Sequence, residues 1–98
     1  MPFLLALLLT VTPVSGPAPL TVEIVMTHEA GFAQVCLDID SFEDEHLFEQ
    51  CSPADPSGTT VFESLTGSQP GKYKFRAVGV SEDGETTEGN TVVVTITE

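Results

Sequence analysis

Residues 72–80, KYKFRAVGV, decide the fold of this chain. Tyr73, Phe75 and Ala77 alternate there with basic residues, and a period of two residues is typical of a half-buried β-strand. The same alternation recurs in the segments 21–27, 32–39, 59–65 and 91–97. The gaps between these segments are rich in Pro, Gly, Ser, Asp and Glu, which favour turns. The pattern predicts an all-β, antiparallel sandwich of five to seven strands.

The alternation also predicts which side chains face the core, and residues 47–50 are a candidate for a further short strand. The predicted core residues are Val22, Ile24, Met26, Val35, Leu37, Ile39, Val61, Phe62, Tyr73, Phe75, Ala77, Val92, Val94 and Ile96. Gly84 and Gly89 are both expected to supply turn geometry in the gap 81–90.

Length and charge limit the classes of protein to consider. A chain of 98 residues has room for one domain. Three Lys and Arg against fifteen Asp and Glu give a net charge of −12, which makes nucleic acid and anionic membrane surfaces poor partners. The same charge favours basic proteins or divalent ions such as calcium. A hydrophobic content of 41% excludes a disordered acidic tail, because such tails lack core-forming residues.

Residues 1–18 read as a signal peptide. The apolar run 3–9, FLLALLL, has the length of a signal-peptide core and is too short to span a bilayer. Small residues follow at Ser15, Gly16 and Ala18, but no Lys or Arg precedes the run. A truncated first strand is therefore the alternative. Under the first interpretation, residues 19–98 are the mature domain, which is secreted and does not insert into a membrane after leader removal.

The two cysteines, Cys36 and Cys51, are interpreted as a disulfide, because a small domain behind a signal-like leader gains most from such a link. Two free buried thiols, or a metal site with His28 or His46, are the alternatives. The spacing lacks a C-x-x-C pattern, which disfavours metal. Both histidines are expected to be solvated side chains.

Residues 65–78, LTGSQPGKYKFRAV, followed by Asp83-Gly84 and the strand 91–97, resemble the last third of fibronectin type III and related immunoglobulin-like domains. In that family a Pro- or Gly-containing turn precedes a Tyr whose ring fills the core and whose hydroxyl reaches a backbone acceptor. The segments 36–38 (CLD) and 48–53 (FEQCSP) resemble bacterial-type immunoglobulin-like modules with a cysteine pair. The resemblance implies an immunoglobulin/fibronectin III-like β-sandwich.

The acidic stretch 38–45 is the sharpest candidate for a functional site. Calcium prefers carboxylate and carbonyl oxygens, and the candidate ligands are Asp38, Asp40, Glu43, Asp44 and Glu45. The alternative is a solvated loop that keeps a sheet edge soluble. An EF-hand is excluded, because Glu43 stands where that loop requires Gly.

A second candidate surface is the acidic turn 81–90, with Glu82, Asp83, Glu85 and Glu88 as possible contact residues. All three basic residues lie on one predicted strand and share its outer face: Lys72, Lys74 and Arg76. They are expected to pair across strands with carboxylates such as Glu63 or those of the C-terminal hairpin, and a patch for an anionic ligand is the alternative.

Catalysis finds little support in the sequence. No Ser, His and Asp carry a local signature such as G-x-S-x-G, and a sandwich this small offers little concave surface. We expect a non-enzymatic extracellular module for adhesion, spacing or protein recognition, with protein or carbohydrate partners at the cell surface. Calcium-dependent or carbohydrate-associated binding is one alternative, and a small secreted inhibitor is another. A free secreted protein and a module of a larger multi-domain protein both stay open.

Overall fold

The computed structural model describes residues 7–98, and eight β-strands without a helix make up the regular structure of that range. The strands are β1 (Leu7–Thr12), β2 (Ser15–Pro17), β3 (Leu20–His28), β4 (Phe32–Ser41), β5 (His46–Pro53), β6 (Thr59–Gly67), β7 (Gly71–Ser81) and β8 (Thr86–Thr97). The all-β prediction is confirmed. Six of the strands lie within residues 19–98, and the other two fall in the segment interpreted as a leader or a first strand. Residues 1–6 of that segment lie outside the described residues.

The strands form two sheets. One sheet has the order β1-β3-β6, and the other has the order β2-β8-β7-β4-β5. Neighbouring strands are antiparallel except β2 and β8, which run parallel. Because β1 and β2 follow each other in the chain but lie in different sheets, the N-terminal segment crosses between the sheets at one side of the molecule.

The core lies between the sheets and is built by alternate residues of each strand. Its largest fully buried side chains are Ile24, Met26, Leu37, Val35 and Val94. Phe75 and Ala77 of β7 are buried as predicted, whereas Tyr73 is only partly buried and packs at the margin of the core. Leu7, Leu9 and Val11 of β1 complete one side of the core. Burial of one face per strand accounts for the period of two in the sequence.

Val61 is the one predicted core residue that the structure places in solvent, with 71% of its surface exposed. It precedes Phe62, which is buried, and successive side chains of a strand point to opposite faces. Phe62 lies opposite Ile24, but Leu65 rather than Ser64 lies opposite Val22. This shift of register lets β6 direct Phe62 and Leu65 inward although they are three residues apart.

The prediction for Gly89 was wrong. The turn between β7 and β8 is shorter than the gap 81–90 suggests, and Gly84, with φ of 89°, provides its left-handed residue. Gly89 lies inside β8 instead. A Cβ atom at this position would stand 2.7 Å from the carbonyl oxygen of Leu7, so glycine is needed where β1 passes over β8.

Asn90 holds β1 against the other sheet. Its side-chain Oδ1 accepts a hydrogen bond from the Leu9 N–H (2.6 Å), and its Nδ2 donates to the Leu9 carbonyl oxygen (3.0 Å). The amide thus pairs with the free edge of β1 as a neighbouring strand would. No sequence pattern pointed to this residue.

His28 is also placed differently from the prediction. It ends β3 as a buried residue, and a 2.8 Å hydrogen bond joins its Nε2 to Thr60 Oγ1. The same Thr60 hydroxyl accepts the Asp55 N–H at 3.0 Å. The pair therefore anchors the connection between β5 and β6 to the end of β3.

The predicted disulfide between Cys36 and Cys51 is present. The two residues face each other on the adjacent strands β4 and β5, with Cα atoms 4.0 Å apart and a sequence separation of 15 residues. It is a link between neighbouring strands on the outer face of one sheet.

Removing this disulfide tests its contribution to stability. We expect the double variant Cys36→Ala/Cys51→Ala to lose about 3 kcal/mol of unfolding free energy, because the link closes a loop of this size in the unfolded chain. Urea unfolding at pH 7 measures the change. Reductant should lower the midpoint of the native protein and leave the double variant unaffected. An identical midpoint for both proteins would contradict the prediction.

Replacing Asn90 tests the closure of β1. Asn90→Ala leaves the Leu9 N–H and carbonyl oxygen without their side-chain partner, so we expect a loss of about 2 kcal/mol in unfolding free energy. Hydrogen exchange should accelerate at the Leu9 amide by more than at the amides of β7. Asn90→Asp keeps the acceptor for the Leu9 N–H but sets a carboxylate oxygen against the Leu9 carbonyl oxygen, so its loss of unfolding free energy should be at least as large as that of Asn90→Ala. Unchanged protection of Leu9 in Asn90→Ala would refute the role of the amide.

Candidate functional site

The five predicted calcium ligands lie on β4 and in the turn that follows it, and they do not converge. Asp38 and Asp40 project from the outer face of β4, where their side chains are 14% and 17% exposed. The other three belong to the turn between β4 and β5, in which Asp44 has a φ of 66°. Within residues 7–98, no group of three or more His, Cys, Asp or Glu side chains is arranged to hold a metal ion. The calcium site stays a prediction.

The three basic residues of β7 provide counter-charges for these carboxylates. Arg76 Nη2 lies 3.4 Å from Asp38 Oδ2 and 3.7 Å from Asp40 Oδ2. Arg76 Nε lies 3.8 Å from Glu88 Oε1 on the other neighbouring strand. The expected cross-strand pairing is present, but its partners include aspartates of β4 and not Glu63, which lies on β6 in the other sheet.

The tip of the β4–β5 turn folds back over the sheet. Lys74 forms an ion pair with Asp44, and this contact holds the pKa of the Asp44 carboxyl below its usual range. The Lys72 and Lys74 ammonium groups lie 5.6 Å and 5.5 Å from the centre of the Phe42 ring. Such distances allow cation–π attraction, so the Phe42 ring partly covers the ammonium groups of these two lysines. Most of the positive charge is therefore engaged by side chains of this chain.

The second predicted surface is the turn between β7 and β8. Glu82, Asp83 and Glu85 lie in this turn, whereas Glu88 lies on β8 beside Arg76. Ser81 donates a hydrogen bond from its hydroxyl to the Asp83 carboxylate, and the Glu85 N–H donates to the same group at 3.3 Å. These two bonds lower the pKa of Asp83, because they favour its charged form. The turn is thus an ordered acidic tip with exposed side chains.

An apolar cleft that the sequence did not predict lies on the side of the molecule between β5 and β6. It has a volume of about 350 Å³, within the range of ligand-binding pockets. Its walls include Leu47 and Phe48 from β5, Leu65 from β6 and Tyr73 from β7. Two consecutive apolar residues line it because β5 shifts register at Leu47: Phe48 faces Ile39, while His46 faces Asp40.

The cleft has a defined cause. The chain leaves β5 at Pro53 and crosses directly to β6, so residues 54–58 close one end of this side. The bonds Ala54 N–H to Ala33 O (3.1 Å) and Asp55 N–H to Thr60 Oγ1 (3.0 Å) hold that crossing. At the other end, no segment of residues 7–98 connects the beginning of β5 to the end of β6, and the apolar side chains that line the cleft remain accessible. In the sequence, the only feature that indicates this cleft is the pair of consecutive apolar residues Leu47 and Phe48.

The comparisons with known proteins concern the fold alone. No family model matches the chain, and no curated protein matches its sequence. A solved structure of a polysaccharide deacetylase from Bacillus cereus is similar, with a TM-score of 0.65 and 15% sequence identity. The similarity covers 92% of this chain and 30% of that chain. This chain therefore corresponds to less than a third of the length of the deacetylase.

The pKa of Asp83 tests the order of the β7–β8 turn. In Ser81→Ala the pKa should rise towards the ordinary value of about 3.9, because a hydrogen bond to the charged form is lost. Because the pKa of Asp83 is lower in the folded state than in the unfolded state, its charged carboxylate stabilises the fold at pH values above the ordinary pKa. This stabilisation is lost as the pH falls through the lowered, folded-state pKa. NMR titration of the side-chain carboxyl measures the change. Asp55, whose pKa is lowered by Ser57, is the internal control and should not move.

Proposed function

We propose that the chain is a non-enzymatic immunoglobulin- or fibronectin III-like module that acts outside the cytoplasm in adhesion, spacing or protein recognition. The observation that carries the proposal is the hydrogen bond from the Tyr73 hydroxyl to the Gln69 carbonyl oxygen, at 2.7 Å. It is made where the chain crosses from β6 in one sheet to β7 in the other. A tyrosine at that crossing, bonded to backbone a few residues upstream, is a hallmark of immunoglobulin-like sandwiches.

The order of the strands supports the same proposal. The sheet β1-β3-β6 and the run β8-β7-β4 of the other sheet have the chain connectivity of the two sheets of an immunoglobulin-like domain. The division of the first segment between the sheets, as β1 and β2, is compatible with that connectivity. The fold by itself does not specify an activity, so recognition must reside in its exposed surfaces.

The disulfide is compatible with a location outside the cytoplasm, where such bonds form and persist. Within residues 7–98, no helix has the length and apolar content required to cross a membrane. The strongly acidic surface adds to the case for protein partners, because it favours association with basic surfaces and raises their rate of encounter.

Binding of the chain to the surface of cells tests the proposal. A fluorescently labelled full chain should bind saturably to the surface of cells from the source organism, and excess unlabelled chain should displace it. Binding should weaken as salt is raised, since the partner is expected to be basic. The same preparation should release no acetate from acetylated polysaccharide. Turnover above the buffer blank would overturn the proposal, and so would the absence of saturable retention by chain that is folded and oxidised.

A further inference from the structure

The side of the molecule that holds the cleft also presents a free strand edge. β5 is the last strand of its sheet, and within residues 7–98 its only strand partner is β4. Beyond the register shift at Leu47, residues 48–53 pair with β4 without interruption. This edge is a template for one more strand as far as Pro53, which has no N–H to donate.

The backbone groups that this edge offers can be assigned. The Ala54 N–H donates to the Ala33 carbonyl oxygen, so these facing residues form a hydrogen-bonded pair. Antiparallel pairs alternate between bonded and non-bonded, and the 4.0 Å separation of the Cys36 and Cys51 Cα atoms is typical of a non-bonded pair. By the same alternation, Glu49 also belongs to a non-bonded pair. The N–H and C=O groups of Glu49 and Cys51 therefore point away from β4, to the free edge.

Carboxylates predominate in the chain around this edge. From residue 42 to residue 67, which includes β5 and β6, the chain contains six Asp and Glu residues and no Lys or Arg: Glu43, Asp44, Glu45, Glu49, Asp55 and Glu63. All three basic residues lie on β7, two strands away from the edge. Lysine is a common protection against pairing at sheet edges, and it is absent from this one. An incoming strand with basic side chains would meet complementary charge.

The cleft provides the second half of the site. Phe48 points inward from β5 and lies in the wall of the cleft, while Glu49 points outward. A strand added beside β5 would alternate in the same way. Side chains that face inward would enter the apolar cleft, and their neighbours would lie beside Glu49 on the outer face.

We propose that the free edge of β5 and the adjoining cleft bind an extended segment of a partner protein in which basic and apolar side chains alternate. The inference rests on the proposed recognition function and names its surface and partner chemistry. The backbone groups of Glu49 and Cys51 pair with the segment, apolar side chains fill the cleft, and basic side chains lie beside the acidic groups. Strand addition of this kind takes affinity from main-chain bonds and specificity from pockets for alternate side chains.

The test uses the full oxidised chain and a synthetic peptide of about six residues, the usual length of a strand, with alternating Lys and Val. We expect saturable binding, chemical-shift changes and slower hydrogen exchange at the Glu49 and Cys51 amides. A peptide with Glu in place of Lys should bind at least tenfold more weakly, since like charges would then oppose each other. Equal binding of the two peptides, or no binding of the Lys peptide, would overturn the proposal.

Matched variants separate the two halves of the site. Glu49→Pro removes an N–H that β4 does not use and should reduce affinity at least tenfold, whereas Glu49→Thr keeps the N–H and should reduce it less. Leu47→Ser changes a wall residue that is already 46% exposed and should also weaken binding. Val61→Ser, at an exposed position outside the cleft, is the control and should bind as the native chain does. Equal affinities for Glu49→Pro and Glu49→Thr would rule out pairing at the edge.

Two further outcomes are informative. Suppose that, without peptide, the Glu49 and Cys51 amides exchange more slowly as the protein concentration is raised, while sedimentation detects a dimer. That result would identify a second copy of the chain as the occupant of the edge and would overturn the proposal. If cells retain the chain as strongly after Glu49→Pro as before, and the peptide does not bind, the edge proposal fails while the recognition function stands. Loss of cell retention in the native chain would count against the recognition function itself.

Discussion

Everything in this molecule depends on the burial of one face of each sheet against the other. Strand residues alternate in direction, so every second side chain enters the core and the residues between them remain outside. Ile24, Met26, Leu37 and Val94 meet in the middle and are almost completely buried. In a chain with a net charge of −12, this burial must stabilise the fold against considerable self-repulsion. Outside the core, the disulfide links β4 to β5 and the Asn90 side chain links β8 to β1.

The distribution of charge follows from the same geometry. Because Lys72, Lys74 and Arg76 alternate on β7, they share the outer face of a central strand and are within reach of carboxylates on both neighbours. Arg76 is engaged by Asp38, Asp40 and Glu88, and Lys74 by Asp44. The positive charges therefore lie at the centre of one sheet, and the segment 42–67, which includes β5 and β6, contains no Lys or Arg. That segregation supports the proposed binding of a basic segment at the edge of β5.

The acidic stretch 38–45 shows why a cluster in sequence need not be a cluster in space. Asp38 and Asp40 belong to a strand and lie flat against a neighbouring arginine, whereas Glu43 and Glu45 lie in an exposed turn. The stretch begins on β4 and continues into the β4–β5 turn, so its carboxylates are divided between the outer face of the sheet and that turn. The apolar cleft shows the opposite case, since Leu47 on β5 and Leu65 on β6 are separated in sequence and belong to different sheets, yet both line the cleft.

The sequence by itself determined the fold class, the positions of the main strands, most of the core and the cysteine pair. These features depend on the local alternation of apolar and polar residues and on composition, and both can be read directly from the sequence. Only the tertiary structure decided that Val61 is exposed, that Gly89 lies beneath β1 and that Asn90 pairs with Leu9. It also decided which backbone groups of β5 remain free. Such features arise from register shifts and from contacts between segments distant in sequence, and the period of two carries no information about either.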